Sequence, residues 1–270
     1  MEAPFRLEYK YLVPDYLRDT IRDEIRPFVE FDPFARDRAE HEYTVRSIYF
    51  DTRHMACYCE KIEGLKTRKK FRIRGYDRPA NDNIVFLEIK RKQVNYIAKN
   101  RAALRWKDVP SVLSSHTPER YILADDSNGD SLNNAARFLY NFHRFALGST
   151  ILIVYEREAF QGVFDHALRI TFDKNIRSNP FPSLEDLFSD EPLRSALPGY
   201  FIMEVKFAGG LPQWIMSLIE RYQLPRLALS KYAICLDSHG RCSSAHLRSF
   251  DDSTTGRAVN MTNPRGARYV

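Results

Sequence analysis

Along this chain, charged residues recur two apart with an apolar residue between them, as in Arg6-Leu7-Glu8-Tyr9-Lys10, Arg72-Ile73-Arg74, Glu88-Ile89-Lys90 and Glu204-Val205-Lys206. A strand turns successive side chains to opposite faces, so each stretch sends its charges one way and its apolar residues the other. The pattern predicts strands over 5–13, 43–51, 69–76, 84–92, 100–106, 151–160, 168–173 and 200–207. The turn-rich segment 77–83 joins two of them as a hairpin, and Gln161-Gly162 starts another turn. Helical spacing appears at Tyr16, Leu17, Ile21 and Ile25 behind Pro14-Asp15, at Leu132, Ala135, Ala136, Leu139 and Phe142, and at Trp214, Ile215, Leu218 and Ile219 behind Pro212. A last short helix is expected around Ser230-Lys231-Tyr232. Segment 31–42 reads as polar loop, 52–61 fits neither period, and 110–130 is a polar excursion with a mobile connection over 125–130. Few apolar anchors follow residue 240, so 241–270 is expected to be a poorly ordered tail behind one domain over 1–240.

Composition changes this picture little. Hydrophobic residues make up 44% and charged residues 28% of 270, ordinary for a globular chain, and the 18 Phe and 15 Tyr favour strands. The net charge of +6 points to an anionic partner, whether nucleic acid, anionic lipid or a phosphorylated small molecule. The sequence holds no apolar run long enough to span a membrane, and its opening MEAPFRLEYK lacks the apolar stretch of a signal peptide, so a cytoplasmic location is expected. Cys57, Cys59, Cys235 and Cys242 lack the paired spacing of a zinc site and read as free thiols. The sequence contains no nucleophile elbow, phosphate-binding P-loop or His-Glu-x-x-His motif, and His41, His54, His143 and His166 read as structural or surface histidines.

The charged faces carry the candidate chemistry. If the strands close into an antiparallel barrel with helices outside, an α+β architecture, Lys10, Arg72, Arg74, Lys90, Arg101, Arg157, Arg169 and Lys206 converge on one interior with Glu8, Glu88 and Glu204. Such a cation cluster repels itself unless a polyanion fills it, and Arg and Lys supply the donors that phosphate oxygens need. A carboxylate two residues before each of Lys10, Lys90 and Lys206 shares a face with that lysine, where Mg²⁺ or Mn²⁺ finds oxygen ligands. Two other readings compete. Alternating charges also form solvated outer faces with cross-strand ion pairs, and basic faces line nucleic-acid grooves. Aromatics that alternate opposite to the charges, as Tyr9 and Tyr11 do, argue against the groove.

The ordered set of stretches resembles the triphosphate tunnel metalloenzymes, and within them the vacuolar transporter chaperone type polyphosphate polymerase domain. It comprises Arg6 to Tyr11, Ser47 to Thr52, Arg72 to Arg74, Phe86 to Lys90, Tyr155 to Arg157, Leu168 to Asp173, Met203 to Lys206 and Ser230 to Tyr232. The resemblance implies an eight-stranded antiparallel tunnel. Its phosphate-binding residues would be Lys10, Arg72, Arg74, Lys90, Arg101, Arg157, Arg169, Lys206, Ser230 and Lys231, with Glu204 holding the metal and Glu8 or Glu88 assisting. Lys10, Arg72, Arg74, Lys90, Arg157, Arg169, Glu204 and Lys206 would then serve catalysis. Arg6 stands where the wider group has the first Glu of its Glu-x-Glu-x-Lys strand, a pattern nearer the polymerases than the hydrolases. The implied reaction moves the γ-phosphoryl group of ATP onto inorganic polyphosphate with Mn²⁺ or Mg²⁺, in a protein that docks on the membrane through a partner. A tripolyphosphatase or nucleoside triphosphatase of the same fold, and a module that binds polyphosphate or inositol polyphosphates without turnover, are the competing functions.

Overall fold

The computed structural model describes residues 6–77, 83–93, 96–115, 118–123 and 130–240. Phe5, the hairpin tip 78–82, the expected mobile connection over 125–129 and the expected tail 241–270 lie outside these. In chain order the strands are β1 (Arg6–Pro14), β2 (Val29–Phe31), β3 (Glu42–Asp51), β4 (Thr67–Tyr76), β5 (Ile84–Gln93), β6 (Tyr96–Arg105), β7 (Gly148–Gly162), β8 (Arg169–Pro180), β9 (Arg194–Ser195) and β10 (Tyr200–Ala208). The helices are α1 (Arg18–Ile25), α2 (Pro33–Arg36), α3 (Ala56–Ile62), α4 (Val109–Ser114), α5 (Ser131–Arg144), α6 (Gln213–Arg221) and α7 (Lys231–Ser238). The fold is α+β. Strand pairing follows the path β1-β10-β8-β7-β3-β4-β5-β6, with β2 on β7 and β9 on β8. Because β1 and β6 end that path, the eight-stranded closure expected from the sequence is a matter of proposal rather than of pairing. No helix among the described residues is long and apolar enough to cross a membrane.

The described residues form two compact units, one from 6–45, Val154–Arg177 and Arg194–Lys231, the other from those within Arg46–Ile153, Ser178–Leu193 and 232–240. Three of their limits fall inside β3, β7 and β8 and one inside α7, where no loop marks them, while the limit between Leu193 and Arg194 falls where β9 begins. In the first unit β1 pairs antiparallel with β10, and β10 with β8. The apolar faces of these strands, through Tyr11, Val13, Met203, Val205, Phe207, Ile170 and Phe172, share one core with Ile21 and Ile25 of α1 and Ile215 and Leu218 of α6. In the second unit Phe138 of α5 is fully buried and meets the rings of Phe50 and Phe71 edge-on. Helices α1 and α6 in the first unit and α5 in the second thus cover the apolar side of their strands, which leaves the charged side for other work.

The structure corrects one local expectation and resolves a segment that the pattern left undecided. The supposed loop over 31–42 begins with the last residue of β2 and contains α2, started by Pro33 and capped by Asp32, whose Oδ1 accepts from the backbone N–H groups of Phe34 and Ala35. The undecided segment 52–61 becomes α3 because Asp51, just upstream, turns its carboxylate onto the backbone N–H groups of Cys57 and Tyr58. Those donors have no partner inside a helix's first turn, so a buried anion there fixes where the helix starts.

Candidate functional site

Register decides which charges meet. In the first unit Lys10 lies opposite Glu204 and Glu204 opposite Thr171, while Glu8 lies opposite Lys206 and Lys206 opposite Arg169. Two adjacent rows, Lys10-Glu204-Thr171 and Glu8-Lys206-Arg169, therefore cross β1, β10 and β8 on the face away from the core, with opposite charges facing each other between β1 and β10. Lys10 Nζ stands 3.1 Å from Glu8 and 3.3 Å from Glu204. Lys231, the first residue of α7, donates to Glu204 at 2.8 Å and also contacts Asp173. Asp173 in turn accepts from Arg157 Nε at 2.6 Å and Nη2 at 2.8 Å. Lys206 and Arg157 approach Glu204 to 3.7 and 3.9 Å, so four cations surround one carboxylate that is 5% exposed.

Burial works against the charge of every group here, and the neighbours decide the outcome. For Glu204 it favours the neutral acid, yet Lys10, Lys231, Lys206 and Arg157 outweigh it and hold the carboxyl well below its usual range. Asp173 is lowered in the same way by Arg157 and Lys231. Lys231 and Lys10 are raised because Asp173 and Glu204, and Glu204 and Glu8, outweigh desolvation. Lys206 goes the other way: burial prevails over Glu204 and Glu8, and its ammonium is the less favoured form relative to an ordinary lysine.

The second unit repeats the arrangement with different residues. Arg72 on β4, Glu88 on β5 and Arg101 on β6 stand side by side, as do Lys70, Lys90 and Lys99. Glu88, 1% exposed, accepts from Arg72 Nε at 2.7 Å, and its Oε1 lies 2.7 Å from Lys99 and 3.3 Å from Arg101 Nε without hydrogen-bond alignment to either. Burial raises the Glu88 pKa, but Arg72, Arg74 and Lys99 more than reverse the shift. Desolvation and the nearby Arg101 and Arg72 bring the Lys99 pKa down to about 8. Arg74 donates to Ser47 Oγ at 3.0 Å, Arg72 to Tyr49 at 2.8 Å, and Arg101 stacks 3.3 Å over the Phe86 ring.

Of the residues singled out in the sequence, Glu8, Lys10, Arg157, Glu204, Lys206 and Lys231 gather in the first unit, with Ser230 buried just before α7. Arg72, Arg74, Glu88, Lys90 and Arg101 share the second unit's face. Arg169 occupies the expected row but extends its Nη2 to Asp32 at 2.7 Å. Sequence reading missed Asp173, Lys99 and Asp32 as counter-charges. The Arg169-x-Thr171-x-Asp173 alternation was the signal for the first.

Among the described residues no three His, Cys, Asp or Glu side chains gather in a metal cage. Glu204 and Glu8, bridged by Lys10, offer at most a partial oxygen shell, and Glu88 is engaged by its own cations. Such a donor set fits a hard divalent cation that arrives with phosphate oxygens and water, as Mg²⁺ commonly does. Elsewhere in the first unit, a cleft of about 870 Å³ includes Arg22, Arg36, Glu158 and Lys174. Its Arg22 and Lys174 bind Glu158, Lys174 also binds Glu42, and Arg36 binds Glu30, so that cleft is compensated from within.

A protein-family model described as the VTC domain matches residues 5–239. The PH1819 protein of Pyrococcus horikoshii OT3 is a structural neighbour with 13% identity and a TM-score of 0.42, the match covering 86% of this chain and 99% of that one. No curated protein matches the chain.

Proposed function

Because the chain belongs to the VTC domain family, which is linked to polyphosphate metabolism, we propose that it is a polyphosphate polymerase that transfers the γ-phosphoryl group of ATP to a growing chain. The observation that carries this reading is the pair of faces on which a buried carboxylate, Glu204 or Glu88, organises an excess of Arg and Lys. In the proposal the strand path closes into an eight-stranded tunnel, and each unit binds phosphoryl groups through its own cations. These are Lys10, Arg157, Arg169, Lys206 and Lys231, with Ser230, in the first unit, and Arg72, Arg74, Lys90 and Arg101 in the second. A terminal oxygen of polyphosphate attacks the γ-phosphorus, the bond to the β–γ bridging oxygen breaks, and ADP leaves. Phosphoryl transfer needs alignment and neutralised oxygens more than a protein nucleophile, and fixed guanidinium and ammonium groups supply both.

A divalent cation held by Glu204, with Glu8 adjacent, would neutralise charge on the transferring group and its leaving oxygens. The protein's part is to keep Glu204 ionised, which its four cations do, and to set Lys231 and Arg157 rigidly through Asp173. Cytoplasmic docking through a membrane-protein partner belongs to the same proposal.

Incubation of the protein with ATP and Mn²⁺, followed by gel electrophoresis of polyphosphate and quantification of ADP, tests the reading. Polymer formed in step with ADP is the expected result. Orthophosphate from ATP or tripolyphosphate without polymer would identify a hydrolase, and tight binding without turnover a receptor.

A further inference from the structure

Thr171 has no role in the proposal above, and its surroundings give it one. It lies on β8 opposite Glu204, in the row that begins with Lys10, and is 1% exposed. Its Oγ1 is buried and has no hydrogen-bond partner among the described residues. Two residues along the same face, the Nε–H of Arg169 is likewise buried and unpartnered, while its Nη2 donates to Asp32. Unmade hydrogen bonds of buried groups are costly and rare in folded proteins, so two unpartnered donors on one strand face call for a ligand that completes them.

The ligand's charge follows from the neighbours. Lys206 lies opposite Arg169, and Lys10, Lys206, Lys231 and Arg157 surround Glu204 beside Thr171. An acceptor placed among these groups is favoured if it is anionic. We infer that the Thr171 hydroxyl donates to a phosphoryl oxygen of the bound polyphosphate, beside the Arg169 Nε–H, and is a substrate-contacting residue of the first unit. This rests on the phosphate-binding reading of that face and names a neutral donor that charge patterning cannot reveal.

Calorimetric titration of the full chain with tripolyphosphate, without metal, tests it in wild type, Thr171→Val and Thr171→Ser, with thermal unfolding of the free proteins in parallel. Valine keeps the shape and removes the hydroxyl. Its expected effect is about a ten-fold or greater loss of affinity, the worth of a hydrogen bond to a charged group. Serine should bind within about three-fold of wild type, since it keeps the donor. The free Thr171→Val protein should unfold at the wild-type temperature or above it, because the hydroxyl it lacks was unsatisfied. Unchanged affinity in Thr171→Val would overturn the inference while leaving phosphate binding intact. A lower unfolding temperature in Thr171→Val would overturn it too, by revealing an internal partner for the hydroxyl. A wild-type protein that does not bind tripolyphosphate would instead remove the phosphate reading itself. Should the valine variant fail to fold, Thr171→Ala gives the same affinity comparison.

Discussion

Replacing Asp173 by asparagine removes the counter-charge that two buried cations share. Asp173 has a fully buried side chain, receives both Nε and Nη2 of Arg157, and contacts Lys231. Among the described residues of that face, Lys10, Arg157, Lys206 and Lys231 are then opposed by Glu8 and Glu204. The amide also turns a donor toward groups that can only donate. Removing one partner of a buried ion pair costs about 3–5 kcal/mol. At about 2–4 °C per kcal/mol for a chain of this size, the unfolding midpoint should fall by at least about 6 °C. Scanning fluorimetry reads this directly, and tripolyphosphate adds a second arm. An uncompensated basic face binds a polyanion more tightly, and a ten-fold gain in affinity adds about 1.4 kcal/mol of ligand stabilisation at saturating concentration. Tripolyphosphate should therefore raise the midpoint of Asp173→Asn by several degrees more than that of wild type. A fall below about 2 °C, or equal ligand shifts in the two proteins, would refute the charge argument.

Three further outcomes follow from the same contacts. Glu204→Gln should abolish turnover of ATP while retaining or strengthening tripolyphosphate binding, checked by activity and calorimetry on one preparation; undiminished turnover would remove Glu204 from the proposed metal site. Lys99, with a pKa brought down to about 8 from an ordinary 10.5, should lose its charge as pH rises from about 7 to 9. Tripolyphosphate affinity should fall across that range and Lys99→Arg should flatten the profile. The unfolded chain holds this proton more tightly, so this group's contribution to stability rises with pH over the same interval and above it. Asp51→Ala should lower the unfolding midpoint by about 4 °C or more. Asp51 is 2% exposed and accepts from the backbone N–H groups of Thr52, Cys57 and Tyr58 and from the Tyr232 hydroxyl, the last at 2.6 Å, so its loss removes the acceptor of four donors, those of Cys57 and Tyr232 buried.

Alternation made β1, β4, β5 and β10 legible because one face of each is buried against helices and the other is charged. It also identified same-face pairs correctly, since Glu8 and Lys10 do meet. Register was beyond it. Glu88-Ile89-Lys90 suggests a pair within one strand, yet Glu88 pairs with Arg72 and Arg101 across the sheet and with Lys99 diagonally. Arg169 sits in the expected row, but Asp32, 137 positions away, draws its side chain aside. β2 has three residues, too few for a period to appear. Three limits of the two units lie inside β3, β7 and β8 and one inside α7, where the periodicity of a single element runs across the limit.

The alternating rows on β1 and β10 also bear on how the chain finds its fold. A slip of one residue would turn Glu8 and Lys10 into the core, a penalty common to any amphipathic strand. A slip of two preserves the faces and would normally pass unpunished. Here it would set Glu8 against Glu204 in one direction and Lys10 against Lys206 in the other, each a like-charge pair in place of an ion pair. The residues proposed to grip substrate therefore also proofread strand alignment. A variant that neutralises them to study binding should be checked for mispaired strands as well as for lost affinity.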